Sequence, residues 1–169
     1  YYTAVDDISG ESGAGFIGDT AFNSATYYKY FSIHWEGLIK NLGGDAGVAA
    51  RAVAALIEAA AVISPTGKQN SFAAHNLPDL VLVEVRGRNL PVSYANAFVD
   101  PVWTKGRPSL IEKSTKALAD YMGTVNGLYN IDATRAWVST NDVALPDAAR
   151  QASLRDLLAW LPLNGAQAS

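Results

Sequence analysis

Asp6 and Asp7 are adjacent carboxylates, the residue type that holds magnesium through oxygen. Neighbours on a strand point to opposite faces, so the pair converges on one ion only where the chain turns, and turn capping is the simpler role. His34 and His75 are the two histidines. Each acts as a general base only where a nucleophile and an orienting carboxylate meet it, so a hydrogen-bonded structural role is expected of both. Gly67-Lys68 lacks the upstream glycine of a phosphate-binding loop, and Gln69 stands where the Ser/Thr hydroxyl belongs, which leaves nucleotide hydrolysis without support. The same loop, Lys68-Gln69-Asn70-Ser71, offers one cation and three hydrogen-bonding side chains suited to phosphates and 2′-hydroxyls. Tyr1 and Tyr2 offer rings on which exposed bases stack. An ordinary surface loop and core aromatics are the competing reading.

These residues must be positioned by the elements around them. Tyr1-Tyr2-Thr3-Ala4-Val5 reads as a strand of β-branched and aromatic residues. Residue 1 is Tyr, the single Met is Met122, and no basic leader or signal-type apolar run comes before the strand. The chain is therefore expected to be the later part of a longer protein. Gly10, Gly13, Gly15 and Gly18, interspersed with Ser and Asp, predict a turn or flexible tip. Asn23 to His34, with Tyr27, Tyr28, Tyr30 and Phe31, then reads as a long return strand, making a wide hairpin.

Trp35 to Leu42 predicts a short helix ended by Gly43-Gly44, and Asp45 caps a second helix from Ala46 to Ile63. Leu80 to Arg86 is the strongest strand pattern, with the near-continuous apolar run of a central, doubly covered position whose cover ends at Glu84. Gly87-Arg88-Asn89 is a turn, and Leu90 to Phe98 a short strand or helical turn. Pro108 opens a helix from Ser109 to about Val125, with Leu110, Ile111, Leu118, Tyr121, Met122 and Val125 inward and Glu112 paired to Lys116 outside. Arg135 to Ser139 is a further strand. Ser153-Leu154-Arg155-Asp156 is a capping box before a last helix bearing Leu157, Leu158 and Leu161. Strands and helices sharing one sheet make an α+β class.

A chain of 169 residues with 49% hydrophobic and 17% charged residues fits one globular domain. No apolar stretch reaches the length that spans a bilayer, because Arg51 and Glu58 interrupt the longest one, so no membrane partner is expected. With no cysteine, disulfides, thiolate zinc sites and a cysteine nucleophile are excluded, which fits a reducing cytoplasm. The net charge of -3 argues against coating by nucleic acid through charge alone. Yet Arg86, Arg88, Lys105, Arg107, Lys113 and Lys116, against Asp100 and Glu112, give the stretch from Arg86 to Lys116 a charge of +4, leaving -7 for the rest. Such a basic band either follows a phosphate backbone or is a solvated helix face with its loops.

Three stretches together resemble the CasC family, the backbone subunit of type I-E Cascade, a CRISPR surveillance complex. They are Tyr2-Thr3-Ala4-Val5-Asp6-Asp7; Phe22-Asn23-Ser24 through Tyr28-Lys29-Tyr30 to Asn41-Leu42-Gly43-Gly44; and Lys68-Gln69 through Ala73-Ala74-His75-Asn76 to Ser93-Tyr94-Ala95-Asn96-Ala97-Phe98. The tail around Leu154 to Trp160 also resembles the family's ending.

The resemblance implies an RRM-like (ferredoxin-like) palm with a protruding β-hairpin thumb, here incomplete because the N-terminal part of the palm is missing. Residues 1–24 correspond to the thumb and residues 25–169 to the C-terminal part of the palm with accessory helices. It further implies CRISPR RNA, target DNA through guide pairing, other copies of the chain and other Cascade subunits as partners, and a cytoplasmic location. No catalytic residue, metal or cofactor is implied. Tyr2 stands where the family has an aromatic wedge beside a displaced nucleotide, Thr3 and Ala4 follow as in the pattern, and Tyr1 adjoins them. Lys68, Gln69 and Asn70 lie in a loop that resembles one near the RNA. An alternative is a metal-dependent RNA nuclease subunit using Asp6 and Asp7, since some relatives of this fold in other CRISPR types cleave RNA. A purely structural partner-binding module is the third reading.

Overall fold

A computed structural model describes residues 2–5, 16–19, 25–64, 67 and 73–163 of the chain. Strand β1, Tyr2–Val5, pairs antiparallel with β2, Phe16–Asp19, in a two-stranded sheet of their own, with Tyr2 opposite Asp19 and Val5 opposite Phe16. The partner of the first strand is thus the Phe16–Asp19 segment and not Asn23 to His34. Residues 25–34 carry no regular structure. Their aromatic and β-branched composition fits a pleated surface, but β-propensity realises a strand only where a free edge meets it. Side-chain anchors hold the segment instead. The Tyr94 backbone N–H donates to the Tyr28 hydroxyl at 3.1 Å, the Tyr28 and Phe98 rings lie 5.8 Å apart, and Lys29 Nζ donates to the Ala60 carbonyl at 3.5 Å.

Helix α1, Trp35–Asn41, ends as Gly43 and Gly44 take positive φ of 70° and 89°, which glycine adopts without steric penalty. Helix α2, Ala46–Val62, starts at the Asp45 carboxylate, which accepts from the Val48 N–H at 2.8 Å. Its Ala49 and Val53 are buried, and α1 packs against it.

The second sheet is three-stranded, ordered β3-β4-β5, from β3 (Leu80–Val85), β4 (Thr134–Ser139) and β5 (Ala149–Arg150). Strand β3 is antiparallel to β4, and β5 is parallel to it. The apolar run of Leu80–Val85 therefore marks an edge strand among the described residues, half-buried throughout. The central strand is β4, where Arg135, Ala136 and Trp137 are buried in succession. Continuous apolarity reports cover on both faces and says nothing of how many neighbours a strand has.

On one face, helix α3, Leu110–Tyr129, sets Leu118 and Met122 against Tyr94, Trp137 and Leu145, with Leu80 and Leu82 closing the cluster. A 3-10 turn, Ala95–Phe98, packs on α3 and brings Phe98 to the same core. Ser109 caps α3 in a reciprocal box with Glu112, and Asn130 ends it with a left-handed φ of 49°. Because the Glu112 carboxylate is turned back onto the Ser109 N–H, it does not take the expected i,i+4 partner. Lys116 pairs with Asp120 at 3.0 Å instead. The final helix, α4, Leu154–Trp160, is capped by Ser153, buries Leu157, and packs on β4 and α2. The fold is thus a mixed α+β arrangement, and no helix among the described residues is long and apolar enough to cross a membrane.

Candidate nucleic-acid interface

Of the residues expected to touch RNA, Tyr2, Thr3 and Ala4 occupy successive positions of β1, paired across the hairpin with Asp19, Gly18 and Ile17. The two-stranded register places all three on one short ladder rather than in the three-stranded sheet. Tyr1, Lys68, Gln69 and Asn70 lie outside the described residues, as do Asp6 and Asp7.

The other candidates for chemistry do not assemble. His34 precedes α1 with an exposed ring 3.5 Å from the exposed Glu36 carboxylate, and no side-chain cap bond forms. His75 is exposed. A polar cleft of about 480 Å³ is lined by Asp79, Glu112 and Asp142 among others. Each carboxylate there is engaged: Asp79 accepts from the Thr140 hydroxyl at 2.7 Å, Glu112 from the Ser109 N–H at 2.6 Å, and Asp142 from Arg150 at 2.9 Å. Among the described residues no group of three His, Cys, Asp or Glu side chains converges to hold a metal ion. The Ser109 backbone N–H and hydroxyl hold the Glu112 carboxyl below its ordinary value of 4.5.

The basic band resolves into two kinds of charge. Arg86 turns inward, where its Nη2 donates to Glu84 Oε2 at 2.5 Å and its Nη1 to the Leu90 carbonyl at 2.9 Å. Arg135, 3% exposed at its side chain, donates from Nε to Glu84 Oε1 at 2.5 Å. The Tyr94 hydroxyl completes the cluster, 2.9 Å from Glu84 Oε1 and 3.0 Å from Asn126 Oδ1. Glu84 is therefore not where cover ends. It is a largely covered carboxylate, 12% exposed at its side chain, between two guanidinium groups, the pairing that makes burial of such charge tolerable. Burial, reinforced by the neighbouring Glu84 charge, raises the Tyr94 hydroxyl above its ordinary value of 10.0. Sequence reading missed this cluster, although a Glu two residues from an Arg at the end of an apolar strand is its visible trace.

The remaining cations of the band stay at the surface. Arg88, Lys105 and Arg107 are exposed, and Lys113 reaches back to donate to the Trp103 carbonyl at 2.8 Å. Lys116 is neutralised by Asp120. What survives as available positive charge is thus concentrated in the loop before α3 and is not spread along a helix face.

Comparison with known proteins places these features in a family context. Residues 1–160 match the profile of the CT1975-like protein family, Cas_CT1975. The chain is similar to a solved "CRISPR RNA-guided surveillance complex" subunit at 30% identity and a TM-score of 0.66, over 75% of this chain and 50% of that one. It is also similar to a chain of a "CRISPR RNA-guided surveillance complex, pre-nicking", at 30% identity and a TM-score of 0.64, over 74% of this chain and 35% of that one. The chain accordingly spans half or less of the length of these structures. No curated protein matches.

Proposed function

Because the chain belongs to the CT1975-like family, whose likeness is to CasC-type subunits of CRISPR surveillance complexes, we propose that it is a non-enzymatic backbone subunit that binds guide RNA and presents it for pairing with target DNA. Specificity then resides in the base pairs, and the protein holds the guide in a shape ready to form them. Copies of the chain associate head to tail along the RNA, a heterologous contact that yields an open filament when the rotation does not close. Other subunits of the complex complete the assembly, and the protein acts in the cytoplasm.

The observation that carries this reading is the β1–β2 hairpin, a two-stranded unit separate from the three-stranded sheet, with Tyr2, Thr3 and Ala4 on its first strand. A two-stranded hairpin of this kind suits a wedge that sets one nucleotide out of line while its neighbours remain free to pair. Lys68, Gln69 and Asn70 are proposed to contact the same RNA backbone, and Tyr1 to flank the wedge. Removing a stacked ring costs about 1 to 3 kcal/mol per base. The test is Tyr2→Ala in the complete complex: guide RNA bound with lower affinity supports the reading, and unchanged guide binding contradicts it in favour of a purely structural module. RNA cleavage by the complete protein that is lost in Asp6→Ala or Asp7→Ala and in chelator would instead establish a nuclease.

A further inference from the structure

Trp103 is 78% exposed, which is unusual for the largest apolar side chain. The other tryptophan resolved at the sheet, Trp137, is 2% exposed. Trp103 lies in the loop between the 3-10 turn and α3, and that loop is tied down by its own hydrogen bonds. The Thr104 hydroxyl lies 2.8 Å from the Gly106 carbonyl and 2.7 Å from that of Pro108, and Lys113 Nζ donates to the Trp103 carbonyl at 2.8 Å. Gly106 takes a φ of +138°, a conformation that side chains rarely adopt, so the loop's path depends on glycine there. A ring on a bonded loop loses little conformational entropy when something stacks on it.

Cations lie close to Trp103 along the chain. Lys105 and Arg107 are exposed at alternate positions after it, and the Lys113 ammonium is bound to its carbonyl. Asp100 is the acidic residue of the loop, and the Arg107 charge also lies near enough to Glu112 to help lower that carboxyl. None of Lys105, Arg107 and Lys113 forms an ion pair among the described residues. An exposed ring on a loop that also displays two cations outside any ion pair fits an unstacked base and its neighbouring phosphates, a pattern that double helices, with their bases stacked inside, do not satisfy.

We propose that the Trp103-Thr104-Lys105-Gly106-Arg107 loop is a second contact for single-stranded polynucleotide, separate from the hairpin. Trp103 stacks on a base while Lys105, Arg107 and Lys113 neutralise adjacent phosphates. This proposal rests on the reading of the chain as a subunit of an RNA-guided complex and adds a strand-binding surface to it. The strand is either guide RNA or single-stranded DNA exposed during target recognition, two sources of the same phosphate-and-base chemistry.

The test uses the assembled complex with Trp103→Ala, Trp103→Phe and Lys105→Gln/Arg107→Gln chains, their folding checked by circular dichroism. Guide RNA retained per complex is measured alongside affinity for labelled oligo(dT) and oligo(rU) across a salt series. Trp103→Ala is expected to weaken binding of at least one oligomer, or guide retention, by about five- to 150-fold, with Trp103→Phe close to wild type. The double Gln variant is expected to lower the salt slope by about 1.4, two single-strand phosphate contacts. Loss confined to oligo(dT) assigns DNA; loss of oligo(rU) or of guide assigns RNA. Wild-type affinities, slopes and guide retention in all variants overturn the proposal. So does release of a protein subunit with strand affinities unchanged, which would assign the loop to an acidic protein partner. A complex that carries no guide even with Trp103 intact counts against the guide-presenting function, and the oligomer titrations still decide the loop.

Discussion

Glu84 and Arg135 stand directly opposite each other in the β3–β4 ladder, and their side chains form an ion pair with 12% and 3% of their surfaces exposed. The same carboxylate accepts from Arg86 and lies beside the Tyr94 hydroxyl, which reaches Asn126 on α3. One residue thus ties the edge strand, the central strand, the loop after β3 and the covering helix together.

Replacing Glu84 with Ala leaves two guanidinium groups buried without their counter-charge. Loss of one partner of such a pair costs about 3 to 5 kcal/mol, far more than an exposed pair. Glu84→Ala is therefore expected to lower the denaturant midpoint sharply. Asp120→Ala, which removes the exposed partner of Lys116, is expected to shift stability by less than about 1 kcal/mol. Equilibrium urea unfolding of both variants checks the contrast.

The raised Tyr94 hydroxyl carries a pH dependence whose sign is fixed. Folded, the group keeps its proton to higher pH than it does unfolded, so its contribution is fully present below the ordinary value of 10.0 and is lost as pH rises through the folded value. Stability is expected to fall above pH 10.0, and Tyr94→Phe is expected to flatten that fall. Urea midpoints measured from neutral to strongly alkaline pH provide the test.

Glu112 behaves in the opposite sense. Its lowered carboxyl supports the start of α3 above its ordinary value of 4.5, and that support is lost as pH drops through the folded value. Ser109→Ala, which removes the other half of the box, is expected to cost about 0.5 to 2 kcal/mol. Protection of the first-turn amides of α3 against exchange, measured relative to the intrinsic rate at each pH, is expected to fall both in acid and in the variant. Unchanged protection in both would show the box to be idle.

Features fixed within a few residues were legible from the sequence. Asp45 and Ser153 are readable as caps, and the inward spacing of Leu118 and Met122 sets α3 against a core, whereas the Ser109 cap is not readable behind Pro108. What escaped depends on distant partners. Whether Tyr27 to His34 becomes a strand is decided by the availability of an edge, and Tyr94 and Ala60 supply anchors 66 and 31 residues away from Tyr28 and Lys29 instead. Whether Leu80–Val85 is central is decided by β5, a two-residue strand with no pattern of its own. Lys116 had acidic residues four positions away on both sides, and only the Ser109 cap settles which it takes. At the interface, Tyr2, Thr3 and Ala4 were legible through resemblance. The exposure of Trp103 was not, because composition alone does not separate a buried ring from a displayed one.

Core packing supplies a further expectation. Met122, fully buried among Tyr94, Leu118, Trp137 and Leu145, holds α3 on the sheet. Met122→Ala is expected to cost about 2 to 5 kcal/mol through lost burial and the cavity left behind. Thermal unfolding of the variant checks this. A cost below that range would mean that α3 settles inward to fill the space.

The hairpin's role is tested most directly by chemical footprinting of guide RNA in the assembled complex. The account predicts single reactive nucleotides recurring at regular intervals, one for each copy of the chain, and loss of that periodicity in Tyr2→Ala. Uniform protection along the guide, or uniform reactivity, would contradict it.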